Sequence, residues 1–438
     1  MVFALLLSLG VTTFAPVTVR PALSPAAEAL LVAQQPPGDS LRDSLRATRS
    51  TAPIRQLAQV VASDTGLLMD VSAVRHLPNG GVIVNDSKRR QLVVFDSALR
   101  TGRVISDTTS NSPNPYGVRG TGGSLIPYVG DSTLFVDFDS QAFLVIDAEG
   151  NFARVMAPVR ASDLFYVGDA TNGRAVFDPQ GRLLYRGIRR LRMGQPPSFN
   201  PADPRKILAQ PDSAPILRMD FDKRTVDTVV MIKTPVQKQI QVTGSNFILW
   251  MQMINPLPSS DEWTQLPDGT IAIVRGQDYH VDWLSTDGKL TSSPRMPFDW
   301  RRITREQKLA MVDSVKRMEN ERLAKLPPPP PAAPGSFQIP RQRNEPVDPE
   351  DLPDYYPPVR QGQVRADPLG RLWILPSTSR DAKAGLLYDV VDRSGQVVER
   401  VQLPEGRTLV GFGPAGTLYL NHVQSPERAT LERAIVER

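Results

Sequence analysis

The chain contains no cysteine among its 438 residues. This absence excludes structural disulfides, zinc sites built on thiolates and a cysteine nucleophile. It also excludes a lipid anchor attached through an N-terminal cysteine, as in bacterial lipoproteins. It does not identify the compartment, because a chain without thiols suits an oxidising and a reducing environment equally.

Histidine is scarce as well, and the three histidines are His76, His280 and His422. A zinc site needs several converging histidine or carboxylate ligands, and these residues show no ligand spacing. We expect each to be a strand residue with an ordinary hydrogen-bond partner. The sequence motifs of zinc proteases, α/β-hydrolases and P-loop proteins are also absent.

Two further sequence patterns resemble ligand-binding motifs, but they indicate turns. Residues 411–416 spell GxGxxG, but a dinucleotide site needs that pattern between a parallel strand and a helix, and here a proline lies inside it. Asp137 with Asp139, and Asp220 with Asp222, form D-x-D pairs outside any complete EF-hand loop. We expect their carboxylates to accept hydrogen bonds from turn amides.

The N-terminal region holds one apolar run, from Val2 to Ala15, and no other stretch is long enough for a transmembrane helix. The run is short for a bilayer span and resembles a signal-peptide core, although no basic residue precedes it. We therefore predict a signal peptide within residues 1–33, a disordered linker over 34–52, and a periplasmic or secreted protein that is not an integral membrane protein. The alternative is a disordered apolar tail.

Positive charge is concentrated in one region. The net charge of +5 comes from 51 basic and 46 acidic residues, and the excess lies mostly in residues 301–345. Nucleic-acid-binding domains usually distribute basic residues along a face with aromatic residues between them. That pattern is missing, so we predict no nucleic-acid partner.

Proline and glycine are plentiful, at 41 and 30 residues, and they recur in turns. Proline presets the first dihedral angles of a turn and glycine tolerates positive φ, so turns rich in them are typical of hairpins. The six recurring turns are residues 77–80, 130–132, 178–181, 266–269, 367–370 and 413–416.

Short β-strands follow the turns. The first is VIVND at 82–86, and it leads to a third strand such as QLVVFD at 91–96 and often to a fourth. A unit of four antiparallel strands that recurs about every 50 residues predicts an all-β fold, a six-bladed β-propeller of four-stranded blades, over residues 53–438. A β-sandwich would lack the repeated turn, and a parallel β-helix would repeat at a shorter period.

The ends of this domain predict a closed ring. The last blade has three predicted strands, one before the last turn and two after it. Residues 54–62 form an additional strand-like segment ahead of the first turn. We expect that segment to be the fourth strand of the last blade, because the pairing removes an exposed sheet edge.

One unit resembles a known repeat. Residues 80–97, GGVIVNDSKRRQLVVFDS, resemble an NHL repeat, in which a strand ending in Asp leads through a polar loop to a strand ending in Phe-Asp. Residues 134–150, 271–288 and 372–395 are similar more loosely. The resemblance to the NHL-repeat-like propeller superfamily implies a blade and no particular activity.

Residues 302–345 interrupt the β pattern. Thr304 and Gln307 have the spacing of a capping box ahead of a helix-forming run, and prolines from Pro327 onward stop the helix and predict a stiff arm. This helical, proline-rich insert is either a partner-binding arm, a lid over the channel or a solvated decoration. The predicted apolar stripe of the helix consists of Met311, Val315 and Met318.

In a propeller, the loops that join the second and third strands of every blade point to one side, here named the loop face. Loops on a rigid scaffold often bind ligands, and Tyr279 would be an aromatic anchor there. The candidate binding residues on this face and its rim are Lys88, Arg89, Arg90, Asp139, Asp278, Tyr279, Arg380, Tyr355 and Tyr356.

Because no catalytic motif is found, the first hypothesis is an exported binding protein or scaffold that engages a protein, peptide or glycan and needs no cofactor. The alternative follows from a resemblance to six-bladed gluconolactonase propellers, which implies a metal-dependent lactonase or esterase. Such an enzyme holds a divalent cation such as calcium with ligands from several blades, so no local motif would show it. A structural subunit of an envelope complex is a third hypothesis.

Overall fold

The computed structural model describes residues 50–437 except 64, 110–115, 117–123, 169–172, 189–204, 210, 244–247, 328–342 and 382–384. The predicted signal peptide, nearly all of the predicted linker and most of the proline-rich arm lie outside these residues.

The described residues form 29 β-strands. The first fifteen are β1 Ile54–Arg55, β2 Leu57–Ala62, β3 Val71–His76, β4 Val82–Asp86, β5 Gln91–Phe95, β6 Gly102–Ser106, β7 Leu125–Pro127, β8 Thr133–Asp137, β9 Ala142–Ile146, β10 Phe152–Met156, β11 Val176–Phe177, β12 Leu183–Arg186, β13 Arg205–Ala209, β14 Ser213–Asp220 and β15 Thr225–Lys233. The others are β16 Lys238–Thr243, β17 Ile248–Ile254, β18 Glu262–Gln265, β19 Ile271–Val274, β20 Val281–Leu284, β21 Leu290–Ser292, β22 Glu345–Pro346, β23 Val359–Ala366, β24 Leu372–Pro376, β25 Leu387–Val391, β26 Val397–Gln402, β27 Arg407–Phe412, β28 Leu418–Ser425 and β29 Arg428–Val436. The two α-helices are α1 Leu164–Gly168 and α2 Arg305–Ala324.

These strands form seven sheets. Sheets 1 to 6 have the orders β3-β4-β5-β6, β7-β8-β9-β10, β11-β12-β14-β15, β18-β19-β20-β21, β23-β24-β25-β26-β1 and β27-β28-β29-β2. The seventh, named the accessory sheet, has the order β13-β16-β17-β22. Antiparallel four-stranded sheets in this series are the architecture of a β-propeller, and sheets 1 to 6 coincide with the units predicted from the repeated turns.

The repeated turns set the strand boundaries. Gly80 and Gly269 have φ angles of +84° and +89°, a region that glycine adopts without steric cost. In each turn the glycine amide donates a hydrogen bond of 2.9 Å to the carbonyl of the leucine three residues earlier. The chain therefore reverses at the predicted positions and starts the next strand.

Hydrophobic side chains fill the space between neighbouring sheets. Ile83 of sheet 1 packs in one cluster with Phe135 of sheet 2, and Tyr419 of sheet 6 packs in another with Val84 of sheet 1. Every residue of β4 is buried, as is every residue of β8. Strands covered on both faces explain why these segments are nearly continuous apolar runs instead of alternating ones.

The first strands of the sheets meet at the centre of the ring. β27 contacts β3, β3 contacts β7, β7 contacts β11, and β18 contacts β23. In a β-propeller such inner strands surround the central channel, and the contact between β27 and β3 joins the last sheet to the first.

The N-terminal segment pairs with two different sheets. Leu57 of β2 pairs with Val436 of β29, which is the pairing that ring closure requires. The segment is not one strand, however, because Ile54 and Arg55 pair in parallel with β26 of sheet 5. Sheet 5 therefore gains an outer strand, and sheet 6 gains its fourth strand.

The sequence patterns do not predict the accessory sheet. β13 pairs with β16, and Met253 of β17 pairs in parallel with Glu345 of β22. Its strands come from the two long intervals between recurring turns, so both intervals contribute to one additional layer.

The helix α2 begins at the predicted capping box. The Thr304 hydroxyl accepts a hydrogen bond from the Gln307 amide, and the Thr304 amide donates one to the Gln307 side chain. The predicted apolar stripe is wrong at Met318, which is 55% exposed. The buried residues of α2 are Val312, Val315 and Glu319.

Packing fixes α2 to the accessory sheet. Val312 clusters with Val347 and Leu352, and Met253 of β17 packs against them. The Glu319 carboxylate accepts a 2.8 Å hydrogen bond from the Asn344 amide, just ahead of β22. No helix in the described part of the chain is long and apolar enough to cross a membrane.

Candidate functional site

The loop face lies beside the starts of the inner strands. Val71 at the start of β3 pairs with Asp86 at the end of β4, and Glu262 at the start of β18 pairs with Val274 at the end of β19. The turn between the second and third strands of a sheet is therefore next to the mouth of the channel. This arrangement places the predicted loops around one opening.

The basic loop of sheet 1 has partners on neighbouring segments. Asp86 Oδ1 accepts hydrogen bonds from the amides of Lys88 and Arg89, which shapes the turn. The Lys88 ammonium donates to the Pro426 carbonyl of sheet 6, and Arg90 donates to the Tyr116 carbonyl at 3.3 Å. These side chains thus connect the turn to adjacent loops.

Tyr279 is fully buried, which corrects its predicted role as an exposed anchor. Its hydroxyl donates a 2.8 Å hydrogen bond to Asp389 Oδ2, inside the interface between sheets 4 and 5. Its φ of +53° turns the side chain inward from the loop. The neighbouring Asp278 is partly buried and accepts a hydrogen bond from His280 at 2.8 Å.

Tyr355 is also buried rather than on a rim, because its ring packs near Trp300 with centroids 6.4 Å apart. Tyr356 is partly buried, and its amide donates to the Arg301 carbonyl. Arg380 lies in the short 3-10 turn Ser377–Asp381, and its side chain lies outside the described part of the structure.

The first aspartate of each D-x-D pair accepts hydrogen bonds from turn amides, as predicted. Asp137 accepts hydrogen bonds from the Asp139 and Ser140 amides at 3.2 and 3.3 Å. Asp220 accepts one from the Lys223 amide at 2.9 Å. Both carboxylates therefore cap turns, and residues 411–416 span the end of β27 and the turn that leads to β28.

All three histidines have hydrogen-bond partners, as predicted, but His280 lies just ahead of β20 and is not the strand residue that we expected. His76 Nδ1 lies 2.8 Å from the Tyr419 hydroxyl, and His422 Nδ1 lies 3.0 Å from Glu432. His280 lies between Asp278 and Asp282, at 2.8 and 3.2 Å. Burial lowers the pKa of His280, but the hydrogen bonds and charges of these two carboxylates raise it to about 9.

A wide bulge in β23 reshapes the channel mouth. Val359 pairs with Pro376, whereas Val364 pairs with Ile374, so residues 360–363 stand opposite Leu375 alone. Bulges of this kind redirect side chains and are frequent next to functional sites. The extra residues are Arg360, Gln361, Gly362 and Gln363.

The bulge forms one wall of a cavity of about 390 Å³. The other walls come from the starts of β3 and β27, so the cavity lies at the loop-face end of the channel. None of the nine predicted binding residues is among its described wall residues. Its polar wall residues are Asp70, Ser72, Arg360, Gln361, Gln363, Arg365, Tyr388, Thr408 and Asn421.

The acidic groups at this opening already have partners. The Asp70 carboxylate accepts a 2.8 Å hydrogen bond from the Asn421 side chain. Glu262 is fully buried and accepts hydrogen bonds from the Gly362 amide at 2.7 Å and the Ser260 hydroxyl at 2.9 Å. Burial raises the pKa of Glu262 to about 7, against the lowering effect of Arg186.

Three arginines of the described residues lie on inner strands or just ahead of one. Arg174 precedes β11, Arg365 lies in β23, and Arg75 lies in β3. Burial lowers the pKa of each guanidinium, and for Arg174 the charge of Arg365 lowers it further.

This donor set does not fit a divalent cation. Calcium takes six to eight oxygen ligands, usually with several carboxylates. The described residues contain no group of three or more histidine or acidic side chains that could hold a metal ion. Arg360 and Arg365 line the channel-mouth cavity, and Asp70 is the acidic side chain among its described wall residues.

A larger cavity, of about 850 Å³, lies between the start of α2 and residues 348–354. Its charges largely neutralise one another. Lys308 pairs with Asp354 at 2.8 Å, and Lys238 pairs with Asp351 at 2.7 Å. We therefore interpret this cavity as part of the packing contact between α2 and the accessory sheet, and not as a binding site.

The sheets, the inner strands and the channel-mouth cavity define a β-propeller. No family model matches the sequence, and the search of curated proteins gave no match. Similar solved structures include an inactive variant of virginiamycin B lyase from Staphylococcus aureus, with 9% identity, a TM-score of 0.41, and coverage of 86% of this chain and 99% of that one.

Two further solved structures have the same kind of likeness. A gluconolactonase from Xanthomonas campestris has 11% identity, a TM-score of 0.37, and coverage of 85% of this chain and 88% of that one. A calcium-binding regucalcin from Agrobacterium tumefaciens has 12% identity, a TM-score of 0.35, and coverage of 88% and 96%. At these identities and TM-scores, none of the likenesses supports an inference about activity.

Proposed function

We propose that this protein is an exported binding propeller, whose ligand enters the cavity at the loop-face mouth of the channel. The ligand is a small polar molecule or the end of a peptide or glycan chain. The observation that carries the proposal is the 390 Å³ cavity formed by the bulge in β23. Its volume lies within the range of about 300–1,000 Å³ that is usual for small-molecule sites.

The wall chemistry supports binding over metal-dependent hydrolysis. Hydroxyl and amide groups of Ser72, Gln361, Gln363 and Thr408 supply donors and acceptors around the cavity. The described acids nearby accept hydrogen bonds from protein groups. A rigid ring with a polar pocket is suited to recognition by its shape and hydrogen bonds.

A blocked cavity tests the proposal. Thr408 is exposed in the cavity wall, so Thr408→Trp should fill the opening without disturbing the core. We would measure binding of a panel of short peptides, sugars and organic acids by thermal shift and then by calorimetry. Thr225→Trp is the matched control, because Thr225 is exposed on the outer strand of sheet 3.

Binding that is lost in Thr408→Trp and kept in Thr225→Trp supports the proposal. Binding that both variants retain would place the ligand elsewhere and contradict it. Elemental mass spectrometry of the purified chain tests the competing hydrolase. Stoichiometric calcium, zinc or manganese together with lactone hydrolysis would replace the binding proposal with that enzyme.

A further inference from the structure

A buried carboxylate of sheet 4 anchors the bulge of sheet 5. Glu262 Oε2 accepts a 2.7 Å hydrogen bond from the Gly362 amide. Gln361 and Gln363, on either side of Gly362, line the channel-mouth cavity, whereas Gly362 is not among its described wall residues. The bulge therefore presents two side chains to the cavity while its backbone between them is anchored to the neighbouring sheet.

The register of β23 with β24 leaves the bulge without regular pairing, because residues 360–363 stand opposite Leu375 alone. Gly362 has a φ angle of +72°, a conformation that residues with side chains rarely adopt. A contact that fixes the Gly362 amide therefore helps to fix the shape of this wall of the cavity.

The surroundings of Glu262 set the charge of this anchor. Its second oxygen, Oε1, accepts a 2.9 Å hydrogen bond from the Ser260 hydroxyl, and Arg186 Nη1, at the end of β12, lies 3.8 Å from it. Burial raises the pKa of Glu262 to about 7, against the lowering effects of Arg186, the Gly362 amide and the Ser260 hydroxyl.

The other charged groups of the adjacent segments are Asp261, Arg275 and two arginines of β23. The charge of Asp261 raises the pKa of Glu262 further, and the Asp261 carboxylate pairs with Arg275 at 2.6 Å. The arginines of β23, Arg360 and Arg365, line the cavity. Glu262 therefore changes charge close to neutral pH at the contact that anchors the bulge.

The charge of Glu262 determines the strength of the anchor. A hydrogen bond from an amide to an ionised carboxylate is roughly twice as strong as one to a neutral acceptor. When Glu262 takes up a proton, the Gly362 amide donates to a neutral carboxyl group, and the Ser260 hydroxyl turns to accept from the new O–H. The same residues then hold the bulge more weakly.

We propose that Glu262 is a positioning residue for the channel-mouth cavity, which holds the β23 bulge firmly when it is ionised and loosely when it is protonated. This inference rests on the proposed function, because the cavity that the bulge shapes is the proposed binding site. A ligand that fits the cavity of the ionised protein therefore binds best above neutral pH.

The first test follows the Gly362 amide by NMR spectroscopy. Its proton signal should shift as the pH is lowered through about 7. In Glu262→Gln, which keeps an acceptor and cannot ionise, the signal should stay near the low-pH position of the wild-type protein. At a fixed pH above 7, hydrogen exchange of this amide should be about tenfold faster in Glu262→Gln than in the wild-type protein.

Glu399→Gln is the matched control. Glu399 lies on β26 of the same sheet and pairs with Arg371 at 2.7 Å, so its loss should leave the titration of the Gly362 amide unchanged. Gly80 is an internal reference, because its amide donates to the Leu77 carbonyl and should not titrate.

The absence of cysteine from the chain allows a second test with a nitroxide spin label on a single introduced thiol. A label at Gln361→Cys should become more mobile as the pH is lowered through about 7. Combined with Glu262→Gln, the same label should be mobile at every pH. A label at Thr225→Cys, on the outer strand of sheet 3, is the control and should not respond.

Glu262→Gln should fold, because it removes the cost of a buried charge. The pKa of Glu262 is raised from 4.5 to about 7 in the folded protein, so its contribution to stability is fully present below pH 4.5 and is lost as the pH rises to 7. If the variant nevertheless fails to fold, the pH titration of Gly362 and of the label at Gln361→Cys in the presence of Glu262 still tests the proposal.

The proposal is overturned if the Gly362 signal of the wild-type protein does not titrate near pH 7, or if it titrates equally in Glu262→Gln. A label at Gln361→Cys whose mobility is independent of pH also overturns it. Neither measurement needs a ligand, so a panel of compounds that all fail to bind would remove the proposed function alone.

Discussion

Hydrogen bonds to a single buried residue, Asp389, connect sheets 4 and 5 across their interface. Asp389 is buried, and its carboxylate accepts hydrogen bonds from the Tyr279 hydroxyl at 2.8 Å and from Arg400 at 3.1 Å. Tyr279 lies in a polar loop of the sequence, and this position predicts an exposed side chain. The partner that draws it inward is 110 residues away in the chain, so no local pattern could show the contact.

Removal of the Tyr279 hydroxyl should destabilise the protein. Tyr279→Phe leaves a buried carboxylate with one donor fewer, at an expected cost of about 1–3 kcal/mol in the free energy of unfolding. Chemical denaturation measures this value. Tyr356→Phe, at a partly buried position, is the control and should cost under about 0.5 kcal/mol. Equal costs for the two variants would contradict the role assigned to the Asp389 hydrogen bond.

His280 should give stability a pH dependence. Its pKa is about 9 in the folded protein and 6.5 without these contacts. Because the folded pKa is the higher one, the stabilisation is fully present below pH 6.5 and is lost as the pH rises to 9.

We expect this loss to be on the order of 2 kcal/mol, measured as the unfolding free energy of the wild-type protein across that pH window. His280→Gln should be less stable at the acidic end and should lack most of the decline. Parallel pH profiles for the two proteins would show that the charge between Asp278 and Asp282 does not contribute.

At the scale of elements, the sequence predicts what is local. The recurring turns, the apolar strands that follow them and the capping box at Thr304 are all encoded within a few residues, and the structure contains each of them. The accessory sheet depends on pairings such as β17 with β22, whose partners are separated by the whole of α2.

The capping box should hold the first turn of α2. Thr304→Ala removes the acceptor for the Gln307 amide, and we expect a local cost of about 1 kcal/mol. Hydrogen exchange of the amides at 306–308 should therefore accelerate. Ser314→Ala, within the same helix, is the control and should leave exchange at these amides unchanged. An unchanged rate in Thr304→Ala would show that packing alone fixes the helix start.

At the scale of the whole molecule, the N-terminal segment contributes the fourth strand of sheet 6. A chain that begins at residue 63 lacks β1 and β2, so β29 becomes an exposed edge. We expect its melting temperature to fall by roughly 5 °C or more, with self-association through the open edge. Calorimetry and light scattering measure the two effects.

A chain that begins at residue 50 keeps both strands and is the matched control for this truncation. It should melt like the full chain and stay in the same oligomeric state. If the chain that begins at residue 63 behaves identically to it, β2 is dispensable and the contacts between β27 and β3 alone hold the ring closed.

The pairing of β2 with β29 also fixes the order of folding events. β2 is synthesised among the first strands, yet its partner is the last strand of the chain. Sheet 6 cannot be completed until translation has delivered β29, and joining such distant segments carries a large loop-closure entropy. Ring closure is therefore a late step, and until then the chain carries an unpaired β2.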